Sequence, residues 1–397
     1  MFSRFLFRPI DARQYAALRI AFGALTFLTL CGWIGVSTFH FSNAGWFPVR
    51  RALEVLNPDE WTLLYTITSP VGVKLFFIFA LLSSAAMTIG LLTRVTSWLT
   101  FICFVSVFCR NRSIIYGGDM VIRVMLFYIA LCPAGLRWSL DAVLRRMRRD
   151  DAPVGRFRPG AAVRVPIWQL RLMQFQLCAI YFTTGIAKMH GEDWWSGEAI
   201  QLVLLNGIFI QHDMSWVRDS RIAQAVLKLM SWVTLFWETF FPLLMLHRWT
   251  RWVGLAVGVM VHGGIILLIR IHWFGEIMIS SYLSFLPDGL FRRVGILARR
   301  WCRQQFEPPA LLVRYDARSP SARRVACFLS AVDILGRLRF DPKGPRQVAI
   351  RDRKGQEASG LAALELAGRS VPLLTPLRLC LKVPGVRPFL SWAGARA

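Results

Sequence analysis

Three ionisable side chains lie within apolar segments of the sequence, where they could carry out acid–base chemistry. Glu238 lies about 16 residues into its apolar run, His262 lies about 12 residues into the next one, and Lys188 stands near the end of an earlier run. A charged side chain deep in lipid costs several kcal/mol, so each of these residues is a functional hypothesis. A carboxyl group, an imidazole and an amine that meet in one place can accept, hold and return protons.

Glu238 and His262 also have structural interpretations. Glu238 can be a buried acid that bonds to a neighbouring helix, or one that desolvation leaves protonated. His262 can form an interhelical hydrogen bond, because Gly254 and Gly258 precede it at intervals of four and allow close approach of a second helix. Either residue could instead belong to a proton-transfer site in the interior of a helical bundle.

Lys188 has two interpretations that depend on its depth. It stands 17 residues after Arg171, or about 25 Å along a helix, which places it near the far membrane surface. Its long side chain can extend to that surface. Alternatively, a partly buried lysine can become a free amine that acts as a base.

Further polar and aromatic residues could line the same region. Asp119 and Arg123 are four residues apart and can pair along one helix face, either as an architectural pair or as part of a cavity wall. The Trp194-Trp195 pair, followed by Gly197, is typical of an interfacial aromatic belt. Trp195 could equally wall a site that is accessible from lipid.

These residues must be positioned by helices that cross a membrane. Apolar residues make up 55% of the 397 residues, with 29 Phe and 16 Trp against 23 acidic residues, more than a water-soluble chain could bury. A membrane-spanning helix needs about 20 mainly apolar residues. Eight runs approach this length: 14–36, 71–92, 95–109, 120–136, 172–189, 222–246, 250–270 and 274–288. The sequence therefore predicts an all-α polytopic membrane protein with about eight transmembrane helices in the lipid bilayer.

The net charge of +25 predicts a topology. With the N-terminus inside, the inner segments before residue 304 (1–19, Arg94, 137–171, 247–251 and 288–303) sum to +16, and the outer loops (37–70, 110–119, 190–221 and 270–276) sum to −3. Basic residues are retained in cytoplasmic loops, so both termini are predicted to be cytoplasmic. This distribution accounts for the charge without nucleic acid as a partner.

The sequence motifs of several enzyme classes do not occur in this sequence. The eight cysteines include no CxxC pair and no zinc spacing, so we assign them neither a metal nor a disulfide. Motifs that cradle phosphate and motifs of serine hydrolases are also absent from the sequence. A transporter is a further alternative, although no pair of interrupted helices occurs in corresponding halves of the chain.

An ordered set of motifs resembles the HTTM domain, the membrane domain shared with vitamin K-dependent gamma-carboxylase. The resemblance covers roughly residues 10–290. The matching positions are Gly117-Gly118-Asp119 with Arg123, Leu136 to Asp141, Tyr181 to Lys188 with Trp195 and Gly197, Glu238 with Pro242, and His262.

The resemblance implies a chemistry. In the carboxylase, a lysine acts as base on a reduced quinone, oxygenation then yields a strong base, and the carbanion formed from a glutamate side chain captures carbon dioxide. Lys188 matches that lysine, with Glu238 and His262 as polar partners, so a reduced, vitamin K-like membrane quinone is the implied cofactor. The outer loops 37–70 and 190–221 are too short to form the large soluble region of the eukaryotic enzyme, so the substrate stays open.

A second hypothesis comes from a different class of protein. Other bacterial HTTM proteins suggest a non-catalytic membrane factor that matures or exports a secreted peptide, or that acts with a membrane partner. Both hypotheses place the protein in a bacterial cytoplasmic membrane.

The composition changes after Arg303, which predicts domains at 1–303 and 304–397. Residues 311–316 read as a strand and Arg323 to Leu335 as a helix. This tail resembles a DCC thiol-disulfide oxidoreductase domain, which implies a small α/β thioredoxin-like fold. Ser319 and Ala322 stand where that family has its two cysteines, so thiol-disulfide exchange is predicted to be absent and the module to serve docking or stability.

Overall fold

A computed structural model describes residues 2–55, 61–148, 163–305, 311–333, 336–352 and 354–380. The chain divides into two compact units. The helical unit comprises Met1–Trp138 and Arg164–Asp288, and the mixed unit comprises Ser139–Val163 and Gly289–Ala397. The predicted domain boundary after residue 303 lies within a helix, Leu290–Gln305, and stays a prediction.

Helices dominate the described residues. In chain order they are α1 Phe2–Phe7, α2 Arg13–Ile34, α3 Ser37–Phe41, α4 Val49–Val55, α5 Pro70–Ile89, α6 Thr93–Arg110, α7 Gly117–Leu131, α8 Leu140–Met147, α9 Trp168–Met189, α10 Glu192–Ser196, α11 Ala199–Leu205, α12 Arg221–Leu244, α13 Arg248–Leu268, α14 Phe274–Ser281, α15 Leu290–Gln305, α16 Pro320–Val332, α17 Gly360–Ser370 and α18 Thr375–Cys380. Short 3₁₀ turns cover Leu63–Tyr65, Arg112–Ile114, Ser215–Arg218, Tyr282–Phe285 and Pro372–Leu374.

Each of the eight predicted apolar runs overlaps a helix, namely α2, α5, α6, α7, α9, α12, α13 and α14. Within the described residues, α2, α5 and α13 are long and apolar enough to cross a membrane. By contrast, α14 has eight residues, about 12 Å of helix, and cannot cross about 30 Å of hydrocarbon by itself. Membrane spans other than these three therefore stay predictions.

A close contact between α9 and α12 brings together the helices that carry the predicted site. A Cβ atom on Gly185 would lie 2.6 Å from the backbone nitrogen of Thr239, closer than any real side chain can be. Small residues allow membrane helices to approach in this way. As a result, the turn after Gly185, which carries Lys188, faces the turn that carries Glu238.

Arg19 of α2 is fully buried, although the charge count above placed it among the basic residues of the inner surface. Its guanidinium donates to the carbonyl oxygen of Ala134 at 2.8 Å and to that of Trp138. Trp138 has a φ of +47°, so the backbone turns sharply at this point and aims its carbonyls at the guanidinium. Arg19 therefore fixes the end of the segment that follows α7, and removing it lowers the inner charge sum from +16 to +15.

The helical unit also contains a short antiparallel pair of strands, β1 (Pro9–Asp11) and β2 (Arg164–Pro166). Asp288 joins this pair to the end of the unit, because its carboxylate accepts from the Asp11 amide at 2.8 Å and from Arg164 at 2.5 Å.

The mixed unit is built on a four-stranded sheet of β3 Leu311–Arg314, β4 Leu338–Asp341, β5 Ala349–Arg351 and β6 Glu357–Ser359, in the order β4-β3-β5-β6. Strands β3 and β4 are parallel, with Leu311 opposite Leu338, and β5 and β6 complete the sheet as antiparallel strands. The crossover helix α16 buries Ala322, Ala326 and Leu329 against the sheet. The predicted strand and helix of the tail are thus present with shifted ends, and the thioredoxin-like assignment stays a prediction.

Candidate functional site

A partly open cavity of about 640 Å³ lies in the helical unit, between residues of α7, α9, α10, α11, α12, α13 and α14. Its volume is in the range of small-molecule sites, and its walls are mainly apolar, as such sites are. The polar and charged lining residues are Arg123, Gln176, Tyr181, Thr183, Thr184, Lys188, Thr234, Glu238 and His262. Lys188, Glu238 and His262, which were predicted separately, therefore share one cavity.

Lys188 and Glu238 form an ion pair in the cavity wall. The Nζ atom of Lys188 donates to Oε2 of Glu238 at 2.6 Å, and the side chains are 23% and 10% exposed. The Trp194 ring lies 5.2 Å from the ammonium, which adds a cation–π contact. Lys188 also lies in the last turn of α9, where the helix dipole favours a cation. The side chain is therefore held in the cavity wall by direct contacts.

The Thr184 hydroxyl is a second possible donor to the carboxylate that binds Lys188. Its Oγ1 lies 3.0 Å from Oε2 of Glu238 and 3.1 Å from the carbonyl oxygen of Tyr181. The single hydroxyl hydrogen can serve one of these acceptors at a time. The carboxylate oxygen that binds Lys188 can thus receive a second donor when Thr184 turns towards it.

His262 belongs to a chain of buried hydrogen bonds. The imidazole is 2% exposed, and its Nε2 lies 2.8 Å from the Tyr181 hydroxyl, which lies 2.5 Å from the Tyr282 hydroxyl. Gly258 makes room for this chain, since a Cβ there would lie 2.4 Å from the Tyr282 oxygen. The Nδ1 atom of His262 has no hydrogen-bond partner among the described residues. His262 therefore forms an interhelical hydrogen bond to Tyr181 and also lines the cavity.

Asp119 and Arg123 have separate contacts. Asp119 is fully buried and accepts from the Tyr116 amide at 3.2 Å, so it caps the start of α7. Arg123 lines the cavity, and its guanidinium lies 4.1 Å from the centre of the Phe108 ring. The expected pairing along one face is not formed: in the part of the chain that the structure describes, no ion pair joins them. The aromatic ring of the neighbouring helix replaces Asp119 as the partner of Arg123.

Trp194, and not Trp195, reaches the cavity. Trp195 is 51% exposed, donates from Nε1 to the Met189 carbonyl oxygen at 2.7 Å, and meets the Phe236 ring edge-on. Adjacent residues on the short helix α10 point in different directions, so only one of the pair can face Lys188. The interfacial interpretation of Trp195 stays a prediction.

Ser319 and Ala322 lie at the beginning of α16 in the mixed unit. Ser319 is the N-cap residue, and its hydroxyl accepts from the Ala322 amide at 3.4 Å. Cys327, further along the helix, is buried, and burial raises the pKa of its thiol. A buried thiol of this kind is inert as a nucleophile.

Sequence reasoning singled out neither Tyr282 nor Thr184, and it treated Tyr181 only as part of a motif. Tyr181 is one of the seven tyrosines of the chain and lies two helical turns before Lys188. Its position inside an apolar run was the available signal, because a buried tyrosine hydroxyl needs a partner. Within the described residues, no group of three His, Cys, Asp or Glu side chains could hold a metal ion.

Comparison with known proteins defines the family. No solved structure matches the chain. The HTTM domain matches residues 7–288, which is more than half of the chain and includes every residue of the cavity. With three helices able to cross a membrane, the chain is a membrane protein that belongs to the HTTM domain family.

Proposed function

We propose that the protein is a membrane enzyme that acts on a reduced quinone, of the carboxylase and epoxidase type, with Lys188 as its base. The observation that carries this proposal is the Lys188–Glu238 pair at 2.6 Å in the wall of a mainly apolar cavity. Intramembrane ion pairs are costly and rare, and they mark functional pathways in membrane proteins.

The cavity has the features that a membrane quinone requires. Its volume of about 640 Å³ and its apolar lining suit an aromatic ring with part of a prenyl chain. Its charged groups are few, so they can orient the polar ring oxygens at one place. A reduced quinone supplies, when bound, a hydroxyl group to be deprotonated and the electrons for reaction with oxygen.

Lys188 and Glu238 can together act as one base. The distance of 2.6 Å between Nζ and Oε2 allows Lys188 to pass a proton to Glu238, which leaves Lys188 as a free amine. That amine can take a proton from a hydroxyl that lies within about 3 Å, and Glu238 keeps the proton that Lys188 gave up.

His262 can hold the other side of the ligand. In the tautomer in which the Tyr181 hydroxyl donates to Nε2, Nδ1 carries the hydrogen and is a donor without a partner among the described residues. His262 lines the cavity, and a buried donor of this kind gains free energy from an acceptor that comes within hydrogen-bond distance of it. His262 would therefore orient a ligand oxygen and leave the proton transfer to Lys188.

A turnover assay tests this function. Purified protein supplied with reduced naphthoquinone and oxygen should form the epoxide. Lys188→Ala should reduce the rate by about 100-fold or more, since a general base contributes at least that factor. The matched control is Lys74→Ala, because Lys74 is an exposed lysine of α5 outside the cavity. Equal rates in the two variants would remove Lys188 from the mechanism.

The alternative is a non-catalytic membrane factor that matures or exports a secreted peptide. The mixed unit supports it, because a folded module with Ser319 and Ala322 in place of a dithiol can serve docking but not exchange. Under this alternative, Lys188→Ala and His262→Ala leave peptide export unchanged, and deletion of residues 304–397 abolishes it. Loss of export in the point variants would exclude the alternative.

The proposed location is a bacterial cytoplasmic membrane with both termini in the cytoplasm. The charge difference between +16 and −3 supports it through the retention of basic loops. Reporter fusions to each end of the chain test it. Both fusions should report the cytoplasm, and opposite locations would require an odd number of spans.

A further inference from the structure

A second cavity, of about 160 Å³, lies in the helical unit and contains a cluster of arginines. It is bounded by residues 8–14, the beginnings of α9 and α13, and residues 285–288. Arg8, Arg171 and Arg251 line it, and the positive charges of Arg8 and Arg251 both act on Arg171. Three like charges around a small cavity repel each other unless an anion lies between them.

The protein itself supplies little negative charge here. Asp288 is the one acidic residue of the lining, and its two oxygens are already bound by the Asp11 amide and by Arg164. Among the residues that the structure describes, Arg8, Arg171 and Arg251 form no ion pair. The lining thus carries three positive charges, and its single carboxylate already has partners outside the cluster.

Two of the arginines are held in place by neutral acceptors. Arg171 donates from Nη1 to Gln174 Oε1 at 2.8 Å, and its guanidinium lies 4.3 Å from the centre of the Phe5 ring. Arg251 donates from Nε and Nη2 to the Met245 carbonyl oxygen at 3.3 and 3.0 Å. These contacts fix the planes of the guanidinium groups. They leave Nη2 of Arg171 and Nη1 of Arg251 without a partner in the described ranges, so both can donate to a ligand.

The cavity lies where several membrane helices begin. Its residues Gln14, Arg171 and Arg251 all lie in the first turn of α2, α9 and α13, two of which are candidate spans. A residue at the end of a span lies at the level of the lipid headgroups. The same helix beginnings add partial positive charge.

We propose that this cavity binds a phosphate group, which Arg8, Arg171 and Arg251 hold at the level of the headgroups. Arginine donates strong, charge-assisted hydrogen bonds to phosphate oxygens, and Nη2 of Arg171 and Nη1 of Arg251 can each supply them. The phosphate can belong to an anionic phospholipid or be free in solution, and the site chemistry is the same for both. This phosphate site is separate from the cavity of about 640 Å³ that contains Lys188. The proposal does not depend on the function of that cavity.

The test compares the binding of phosphatidylglycerol with that of inorganic phosphate. The detergent-purified full-length protein should bind phosphatidylglycerol, and the double variant Arg171→Gln/Arg251→Gln should bind it about tenfold or more weakly, since a hydrogen bond to a charged group contributes about 1.5–3 kcal/mol. Arg248→Gln is the matched control. Arg248 lies on the same helix, is exposed and does not line the cavity, so this variant should change binding by less than about twofold.

Competition between inorganic phosphate and the lipid identifies which of the two is the ligand. If millimolar inorganic phosphate displaces the lipid from the wild type, and itself fails to bind the double variant, the ligand is free phosphate; if only the lipid binds, the ligand is a headgroup. Where the first variant does not fold, Arg171→Lys/Arg251→Lys serves instead, and because it keeps the charges but loses the planar guanidinium donors, it should bind the lipid more weakly than the wild type. Equal lipid binding in the wild type, the double glutamine variant and Arg248→Gln would overturn the proposal, as would wild-type binding that does not weaken when salt is raised.

Discussion

The ammonium nitrogen of Lys188 lies 2.6 Å from Oε2 of Glu238, although 50 positions separate the two residues in the chain. The contact depends on Gly185, whose missing side chain lets α9 approach the backbone of α12 at Thr239. A packing feature of the helices thus sets the geometry of the proposed base.

The first prediction concerns the stability of this ion pair. Glu238→Leu leaves Lys188 without a carboxylate in an apolar wall, and Lys188→Met does the reverse. Removing one partner of a fully buried pair costs about 3–5 kcal/mol. Because Lys188 is 23% exposed, we expect about 1–3 kcal/mol for each single variant, measured by thermal unfolding in detergent. The double variant Lys188→Met/Glu238→Leu should regain most of the loss, and additive losses would contradict a coupled pair.

The second prediction concerns the contact between α9 and α12. Gly185→Ala places a methyl group 2.6 Å from the Thr239 backbone nitrogen, so the two helices must separate. Overpacking of this kind costs about 1–3 kcal/mol, and turnover should fall because Lys188 moves away from Glu238. The control is Gly263→Ala in α13, where the structure has nothing within 4 Å of the added carbon. That variant should keep or raise the unfolding midpoint. An unchanged midpoint in Gly185→Ala would show that the close approach does not exist.

The third prediction concerns Arg19. Its replacement by Leu removes the guanidinium that donates to the carbonyl oxygens of Ala134 and Trp138, and at the buried Ala134 the lost donor costs about 1–3 kcal/mol. We expect a lower unfolding midpoint, while Arg94→Leu, at an exposed position of α6, should leave it nearly unchanged. Equal midpoints in both variants would mean that Arg19 is a surface charge, as the sequence count assumed.

The fourth prediction concerns the mixed unit. The wild type should not reduce insulin disulfides, because a serine and an alanine occupy the two positions at the beginning of α16. Ser319→Cys/Ala322→Cys should introduce a dithiol at a helix N-terminus, where a thiolate is stabilised, and insulin reduction should appear. The single variant Ser319→Cys is the control and should stay inactive. Reduction by the wild type would show that other residues of the chain supply the thiols.

Much of the fold could be predicted because apolar runs of about 20 residues have few stable states other than helices in lipid. The ends were less certain: α14 is eight residues long, because a 3₁₀ turn at Tyr282 replaces the second half of the expected span. Arg19 and Arg110 were counted as loop charges because they lie at the edges of apolar runs. Both are fully buried against backbone carbonyls, which the spacing of residues along the chain does not indicate.

The sequence predicted individual residues of the site but not the contacts between them. Glu238 and His262 were visible because each is a polar residue deep in an apolar run. The partners depend on how helices are rotated against each other, and a rotation of one residue decides between Trp194 and Trp195 at the cavity. For the same reason the sequence did not indicate that the Arg123 guanidinium contacts the Phe108 ring of α6, at 4.1 Å from its centre, instead of pairing with Asp119.

The central claim is that Lys188 and Glu238 act as one base, and a double-mutant cycle on turnover tests it most directly. Epoxide formation from reduced naphthoquinone is measured for the wild type, Lys188→Ala, Glu238→Gln and the variant with both changes. Residues that act as a unit lose their effect together, so each single change should lower the rate by about 100-fold or more, and the double change should lower it no further. Losses that multiply in the double variant, or a single variant with the wild-type rate, would contradict the account.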